Sequence, residues 1–428
     1  MRFCSLSARE VRLDKITVFV RGGIRSKLAD SLLMNKALID KIYVFSETES
    51  NLDISIPIEV IKANTSVEAF NLVVKNDVSK YLLFLDPNVY FEEDLVEELI
   101  EEAEDSSADI VFPNLISVRD GKENVINNVI NFEQLYGKEI AVLQTLSLEK
   151  WIPGQVLLFK RESIVNGGYF DEELGDYYIH DFIYRNLKKF RIRLSEFSFA
   201  YYEEETNDFN DLSNSWKSFV LRNRVLKNYD WEEDIFPFLS WKERPEIAKA
   251  TALTLIGKKL SEYLDYFNAS DYFRKALMNF HNQETLNLLV NAYFTMGLFE
   301  KAKELLSPLH GVPREKAEEK KEHIEKVESL IFELEKLAEL GRVDELNQIF
   351  SSVLKVYCGA PVYNILGFLE WIQGNKEGAY RYFFRATLMN PIDQDYLYNL
   401  AKVAKEISRE EEVKSLIKNL VADGDSKG

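Results

Sequence analysis

The sequence contains few cysteines, prolines and glycines, and it has no long apolar run. Its 428 residues include two cysteines, 10 prolines and 18 glycines. Because Cys4 and Cys358 lie far apart, a reducing, cytoplasmic setting is favoured over a disulfide framework. No apolar stretch approaches the roughly 20 residues that a membrane span needs, and no signal-peptide core follows Met1. We therefore expect a cytoplasmic protein without a membrane span.

Positive charge is also scarce. The chain carries 53 Lys and Arg against 71 Asp and Glu, which gives a formal net charge of −18. Nucleic-acid binding depends on clustered basic residues, so DNA and RNA are not expected as partners. The four histidines are scattered, and no group of Cys and His residues has the spacing of a zinc site.

Apolar residues are plentiful, at 46% of the chain with 28 Phe and 21 Tyr. A chain of this length is expected to form two or more domains. Its first half alternates short apolar runs with amphipathic segments, a pattern typical of an α/β domain with a mostly parallel sheet. The predicted strands are 15–20, 41–45, 58–62, 81–85, 109–113 and 156–160, with helices over 26–37, from about 66, and over 178–189.

The most informative stretch is Tyr81–Leu99. Its apolar run ends in Asp86-Pro87-Asn88, and an acid-rich helix follows. A carboxylate at the carboxyl end of a buried strand lies where open α/β sheets bind ligands. The simpler interpretation is turn chemistry. The acidic run Glu92–Asp105 is expected to be the solvated face of a helix.

Two further segments allow both a structural and a functional interpretation. Arg21-Gly22-Gly23, after the first strand, is either a tight turn or a place where backbone N–H groups approach a phosphate. On the predicted helix from Tyr178, Asp181 lies opposite the apolar stripe. It is either a solvated carboxylate favoured by the helix dipole or a functional acid.

Four stretches resemble family 2 glycosyltransferases, which have the A-type, Rossmann-like nucleotide-sugar-binding fold. Tyr81–Val89 resembles the strand that ends in the Asp-x-Asp metal motif. Trp151–Glu172 resembles the acceptor-side segment, and Tyr178–Arg185 the segment that supplies the base. Arg222-Asn223-Arg224 is similar to the helix that often closes the domain. The resemblance covers roughly residues 14–230.

The resemblance implies an inverting transferase that moves a hexosyl or N-acetylhexosaminyl group from a nucleotide-sugar, commonly a UDP-sugar, to a glycan or protein acceptor. Asp181 matches the base, which takes a proton from the acceptor hydroxyl. A divalent metal, Mn or Mg, would neutralise the leaving diphosphate. The implied contacts are Asp86 and Asn88 for the metal, Arg21, Glu47 and Asp86 for the donor, and Gly154, Asp171 and Glu172 for the acceptor.

Some residues depart from the family pattern. Asn88 stands where a second carboxylate is usual, and Tyr201-Tyr202-Glu203 lies where a metal-binding histidine is common. For the nucleotide, Glu47 and Asp53 are poor substitutes for the usual acid. For Asp171, the simpler alternative to an acceptor contact is that its side chain caps a turn. A catalytically weak or inactive scaffold is therefore the alternative function. A nucleotidyltransferase is a third possibility, but beyond Arg21–Arg25 this sequence lacks the Gly-rich, basic phosphate loop that such an enzyme needs.

The second half has a purely helical pattern with an internal repeat. A shift of 110 residues aligns Gly257 with Gly367 and Phe273 with Phe383, which resembles tetratricopeptide repeats. Equivalent positions at 264, 297, 341 and 374 indicate a longer middle repeat, which the charged insert Gly311–Lys321 explains. We expect a glycosyltransferase-like domain over 1–230, a connection over 231–249 and a repeat domain over 250–428. Such an array either binds a peptide or protein partner, or self-associates.

Overall fold

The computed structural model describes residues 14–46, 55–119, 122–125, 154–203, 211–307 and 312–421. The chain divides into two compact units, Met1–Thr206 and Asn207–Gly428, called here the sheet unit and the helical unit. This division lies on the N-terminal side of the domain boundary that the sequence indicated at residue 230. Among the described helices, none combines the length and the apolar character that crossing a membrane would take.

The sheet unit is built on one sheet with strand order β3-β2-β1-β4-β8-β6-β9-β5, and β7 pairs with β6. In chain order the described strands are β1 (Ile16–Val20), β2 (Ile39–Val44), β3 (Ile58–Val60), β4 (Tyr81–Leu85), β5 (Val89–Phe91), β6 (Ile110–Arg119), β7 (Lys122–Val125), β8 (Val156–Lys160) and β9 (Ile192–Glu203). Its described helices are α1 (Ser26–Met34), α2 (Ser66–Asn76), α3 (Leu95–Ser106), α4 (Arg161–Gly167) and α5 (Tyr178–Asn186), with a 3₁₀ segment over Glu172–Tyr177.

The α/β class with a mostly parallel sheet is confirmed. Six of the described strands, β1, β2, β3, β4, β6 and β9, run in one direction, and β5, β7 and β8 run in the opposite direction, which makes the sheet a mixed one. Strands β1 to β4 pair in parallel, as right-handed crossovers through helices require. Beyond β4 the direction changes, because β8 runs antiparallel to both β4 and β6. The predicted bounds of β4 and β8 are confirmed. The acidic segment after β5 is a helix, α3, whose buried side is Leu95, Val96, Leu99, Ile100 and Ala103.

The helical unit begins with α6 (Asp211–Val220), which continues through a wider turn over Leu221–Val225. Two short helical segments follow, over Leu226–Asn228 and Trp231–Ile235. The longer helices after them form successive pairs in the described residues: α7 (Pro245–Glu262), α8 (Tyr266–Asn279), α9 (Gln283–Thr295), α10 (Phe299–Leu305), α11 (Arg314–Glu339), α12 (Val343–Val353), α13 (Ala360–Ile372), α14 (Lys376–Met389), α15 (Gln394–Glu406) and α16 (Glu410–Val421).

The turns inside these pairs confirm the positions that the sequence treated as equivalent. Leu264, Gly297, Gly341 and Gly374 all have positive φ, between 62° and 82°. Ser408, with a φ of 60°, lies at the same point between α15 and α16 and marks a fifth pair. The longer middle spacing is taken up by α11, which has 26 residues. Residues 314–321 of the charged insert thus form the first turns of this long helix.

The predicted glycine–aromatic packing is also observed. A Cβ atom added at Gly257 would lie 2.5 Å from Cε1 of Phe273, and one at Gly367 would lie 2.6 Å from the Phe383 ring. Each glycine therefore lets the aromatic ring of the next helix approach the backbone. This contact recurs with the predicted shift of 110 residues, while membership of the tetratricopeptide family stays a prediction.

Arg222, the first residue of the Arg-Asn-Arg segment, is buried inside the helical unit. Its guanidinium donates to the Asn419 carbonyl oxygen and to Oγ of Ser218, at 3.3 Å in the second case. It also lies 3.7 Å from the Asp265 carboxylate. The segment that resembles the end of a glycosyltransferase domain therefore stabilises the helical unit.

Candidate functional site

Two neighbouring strand ends bring Arg21 and Asp86 together. Strands β1 and β4 are parallel neighbours, so their carboxyl ends meet at one edge of the sheet. The Arg21 backbone N–H donates to the Leu85 carbonyl oxygen at 3.0 Å, and the Asp86 N–H donates to the carbonyl oxygen of Gln155 at 2.9 Å. The strand ends thus fix both residues and place Gln155 beside them.

Asp86 is buried, with 4% of the residue exposed, and both of its side-chain oxygens accept hydrogen bonds. Oδ2 accepts from Nη2 of Arg21 at 2.7 Å, and Oδ1 accepts from the Asn88 backbone N–H at 3.0 Å. The second bond is the expected Asx turn. The simple interpretation of Asp86-Pro87-Asn88 as a turn is therefore correct in geometry, and the same turn holds the carboxylate at the site.

Arg21 also pairs with a second carboxylate, because Nη1 donates to Oδ1 of Asp176 at 2.8 Å. Burial alone lowers the pKa of the Arg21 guanidinium, but the Asp176 and Asp86 carboxylates outweigh that effect, so the pKa lies above its ordinary value. Arg21 is therefore a fixed positive charge held between two carboxylates.

Three buried polar atoms at this cluster have no hydrogen-bond partner in the described part of the chain. They are Asn88 Oδ1, Gln155 Oε1 and the Tyr178 hydroxyl. Buried polar groups are almost always paired, and exceptions concentrate where a ligand, ion or water supplies the partner. The cluster around Asp86 thus has the unmet hydrogen-bonding capacity of a binding site.

Tyr178 was not assigned a role from the sequence. Its ring packs edge-on against Phe84 and Phe170, with centroids 6.2 Å and 5.4 Å away. Burial raises the pKa of its hydroxyl, on which Arg21, Asp176 and Asp86 also act, so the group stays protonated. Asp176 and Gln155 were missed as well. Each of these two residues directly follows a glycine, which is the nearest signal in the sequence. Gly175, with a φ of 49° inside the 3₁₀ segment, precedes Asp176, and the predicted site residue Gly154 precedes Gln155.

The predicted acceptor residues do not form one group in the described contacts. Gly154 lies beside His180, since an added Cβ would be 3.2 Å from the imidazole Cε1. Asp171 caps the 3₁₀ segment by accepting from the Glu173 N–H at 3.1 Å, as the simpler interpretation predicted. Glu172 accepts from the side-chain amide of Asn71 on α2 at 3.4 Å. Glu47 and Asp53 lie outside the described residues.

Asp181 is fully buried, so the interpretation as a solvated carboxylate is wrong. Its Oδ2 accepts from Nε of Arg185 at 2.8 Å. The same guanidinium donates to the carbonyl oxygens of Gly167 and Tyr169, at 3.2 Å and 2.7 Å. The Asp181–Arg185 pair therefore ties α5 to the turn that precedes the 3₁₀ segment, and the role of Asp181 as a base stays a prediction.

The side chains present do not fit a divalent cation. Both oxygens of Asp86 are engaged, and the adjacent guanidinium repels a second cation. Asn88 offers a neutral amide, and Glu203, whose N–H donates to the Asn88 carbonyl oxygen at 3.0 Å, pairs its carboxylate with Lys27. Within the described ranges, no three His, Cys, Asp or Glu side chains form a group suited to a metal.

No protein-family model and no curated protein matches the chain. Among solved structures it is similar to S. aureus TarS 1-349, at 14% identity over 68% of this chain and 88% of that chain, with a TM-score of 0.38. The same protein in complex with UDP gives 13% identity, 62% and 89% coverage, and a TM-score of 0.37. GalNAc-T7 with UDP, GalNAc and Mn²⁺ gives 10% identity, 53% and 54% coverage, and a TM-score of 0.34.

These identities and TM-scores are low and carry no conclusion about function. The chain consists of an α/β unit, which has a polar site at the carboxyl edge of its sheet, and an all-helical unit that follows it in the sequence. The site is centred on the Arg21–Asp86 pair.

Proposed function

We propose that the sheet unit binds a nucleotide-sugar donor, most simply a UDP-sugar, and transfers the sugar with inversion to a glycan or protein acceptor. The supporting observation is the Arg21–Asp86 pair, surrounded by three buried polar atoms without partners in the described chain. Arg21 meets the charge of the diphosphate, and the side chains of Asn88, Gln155 and Tyr178 hydrogen-bond sugar or ribose hydroxyls. Asp181 is the proposed base, and Gly154, Asp171 and Glu172 line the acceptor side.

Calorimetric titration of the full chain with UDP-glucose and UDP-N-acetylglucosamine tests the donor. Saturable binding of at least one is expected, together with slow hydrolysis that releases UDP. If neither compound binds nor is hydrolysed, the proposal fails.

The role of Asp181 is tested by comparing Asp181→Asn with Arg185→Met. Both changes break the ion pair at 2.8 Å, so both should lower stability. A general base contributes about 10²–10⁴-fold to a rate, so only Asp181→Asn should lower kcat by that order. Equal loss of kcat in the two variants would make Asp181 a structural residue.

The second candidate is a binding protein without turnover, which the burial of Asp181 and its pairing with Arg185 favour. Donor binding without any UDP release would support it.

In either case the helical unit is proposed to bind the acceptor or a protein partner, or to self-associate. Sedimentation of the full chain over a range of concentrations separates self-association from the other roles.

A further inference from the structure

The two carboxylates that Arg21 contacts have very different surroundings. The Asp86 side chain is 5% exposed and that of Asp176 is 73% exposed, while Arg21 itself is 26% exposed. A buried, hydrogen-bonded partner holds its arginine firmly, whereas an exposed ion pair contributes little and is easily exchanged. Arg21 therefore has one permanent partner and one replaceable partner.

The backbone around Arg21 holds the guanidinium at the strand ends. The N–H of Arg21 is bonded to the last carbonyl of β4. At Gly22 the chain packs against the Asp86-Pro87-Asn88 turn, since an added Cβ would be 3.1 Å from Cγ of Pro87. A guanidinium carries more N–H donors than the two contacts to Asp86 and Asp176 use.

We propose that the Arg21 guanidinium takes the place of a divalent cation at this site, and that Asp176 holds the phosphate position until a diphosphate displaces it. This inference rests on the proposed function, because it assumes a donor with a diphosphate. The exchange replaces an exposed carboxylate contact with a fork of N–H bonds to phosphate oxygens, for which a guanidinium is well shaped. Asp86 keeps the guanidinium oriented throughout.

The proposal also explains Asn88. A metal between protein and diphosphate is held best by charged oxygens. When the positive charge belongs to the chain itself, a second carboxylate is not required. The Asn88 amide oxygen, buried and without a partner in the described residues, is then left to accept a hydrogen bond from the ligand.

Calorimetric titration with UDP, in excess EDTA and in millimolar manganese, tests the proposal on the full chain. The wild type should bind UDP equally in both buffers. Arg21→Met should weaken binding about 10- to 100-fold in both, the loss expected for a charge-assisted contact. Asp176→Asn should strengthen binding about threefold, because an exposed ion pair no longer competes.

Lys41→Met is the control, because it removes one positive charge from the same unit at a pair with Glu59, and it should leave UDP affinity unchanged. Arg21→Lys keeps the charge without the planar fork and should bind with intermediate affinity, which preserves the test if Arg21→Met does not fold.

Binding of UDP by the wild type only when manganese is present would overturn the inference and leave the proposed function intact. Binding in neither buffer would overturn both. Manganese bound by the wild type in paramagnetic resonance titrations without nucleotide, and lost in Asp86→Asn, would also overturn the inference.

Discussion

Asp86 in the sheet unit and Asp265 in the helical unit are both buried and both lie beside an arginine, but their surroundings differ. Asp265 accepts from the Ser218 hydroxyl, and it accepts from both the backbone and the side chain of Asn268 at 2.8–3.1 Å. Asp86 instead lies among three polar atoms that have no partner in the described residues, whereas the Arg222–Asp265 pair has one such atom nearby, Nδ2 of Asn419.

The difference separates a structural ion pair from a binding site. At Asp265 the protein itself supplies the donors, so the carboxylate joins α6 to the first repeat pair. At Asp86 the unpaired polar atoms nearby lower the stability of the folded protein when no ligand is bound. Buried polar groups are left unpaired mainly where a ligand supplies the missing hydrogen bonds. Variants at the two sites should therefore affect different properties.

The largest effect is expected for Asp265→Ala. Removing one partner of a buried pair leaves Arg222 uncompensated, which costs about 3–5 kcal/mol of the free energy of unfolding. UDP affinity should not change. Urea denaturation of the full chain measures the free energy of unfolding, and calorimetric titration measures the UDP affinity.

Asp86→Ala is the matched variant in the sheet unit. Because Arg21 is partly exposed and water can solvate its guanidinium when Asp86 is removed, the expected loss of stability is at most about 1 kcal/mol. Its UDP binding should fall sharply. Equal destabilisation by the two variants would show that both pairs are structural.

Gly257→Ala is expected to have the second-largest effect. The new methyl group would lie 2.5 Å from the Phe273 ring, and overpacking of this kind costs about 1–3 kcal/mol. Gly154→Ala, at 3.2 Å from His180, should cost less stability and weaken UDP binding more, because Gly154 directly precedes Gln155, one of the proposed donor contacts. Thermal unfolding and titration of both variants test this contrast, which fails if Gly257→Ala is neutral.

A smaller effect is expected at the repeat turns. Gly374 has a φ of 82° with no atom within 4 Å of an added Cβ, so Gly374→Ala isolates backbone strain. We expect a loss of about 1 kcal/mol. Ser408→Gly relieves the same strain at the equivalent turn and should raise the melting temperature. Opposite signs for the two variants confirm that the turns are equivalent.

The smallest change in stability is expected for Tyr178→Phe. Its hydroxyl has no partner in the described chain, so its removal should be neutral or slightly stabilising while UDP affinity falls. Tyr380→Phe is the control in the helical unit. The Tyr380 hydroxyl donates to Glu412 at 2.7 Å, and losing that bond should cost about 1 kcal/mol. A larger loss for Tyr178→Phe would remove the distinction between the two sites.

Local features of the fold could be predicted well. The bounds of β4 and β8, the solvated side of α3 and the turn positions at Leu264, Gly297, Gly341 and Gly374 all follow from the sequence. Apolar periodicity and glycine preference act over a few residues, which is why they are visible there. The turn at Ser408 was missed because serine gives no signal for positive φ.

Non-local features were predicted less well. No pattern in the sequence indicates that Arg222 contacts Ser218, Asp265 and Asn419. Tyr178 and Gln155 carry no motif of their own, so their place at the site depends on how β4, β8 and α5 pack.

The sequence by itself determined the two kinds of architecture, the strand that ends in Asp86, and the repeat spacing, because each depends on contacts between near neighbours. Tertiary structure alone decided the partners of Arg21, which lie 65 and 155 positions away along the chain. The parallel pairing of β1 with β4 brings Arg21 to Asp86. The packing that follows brings Asp176 to the same guanidinium, so the charge at the site is set by chain segments that no local pattern connects.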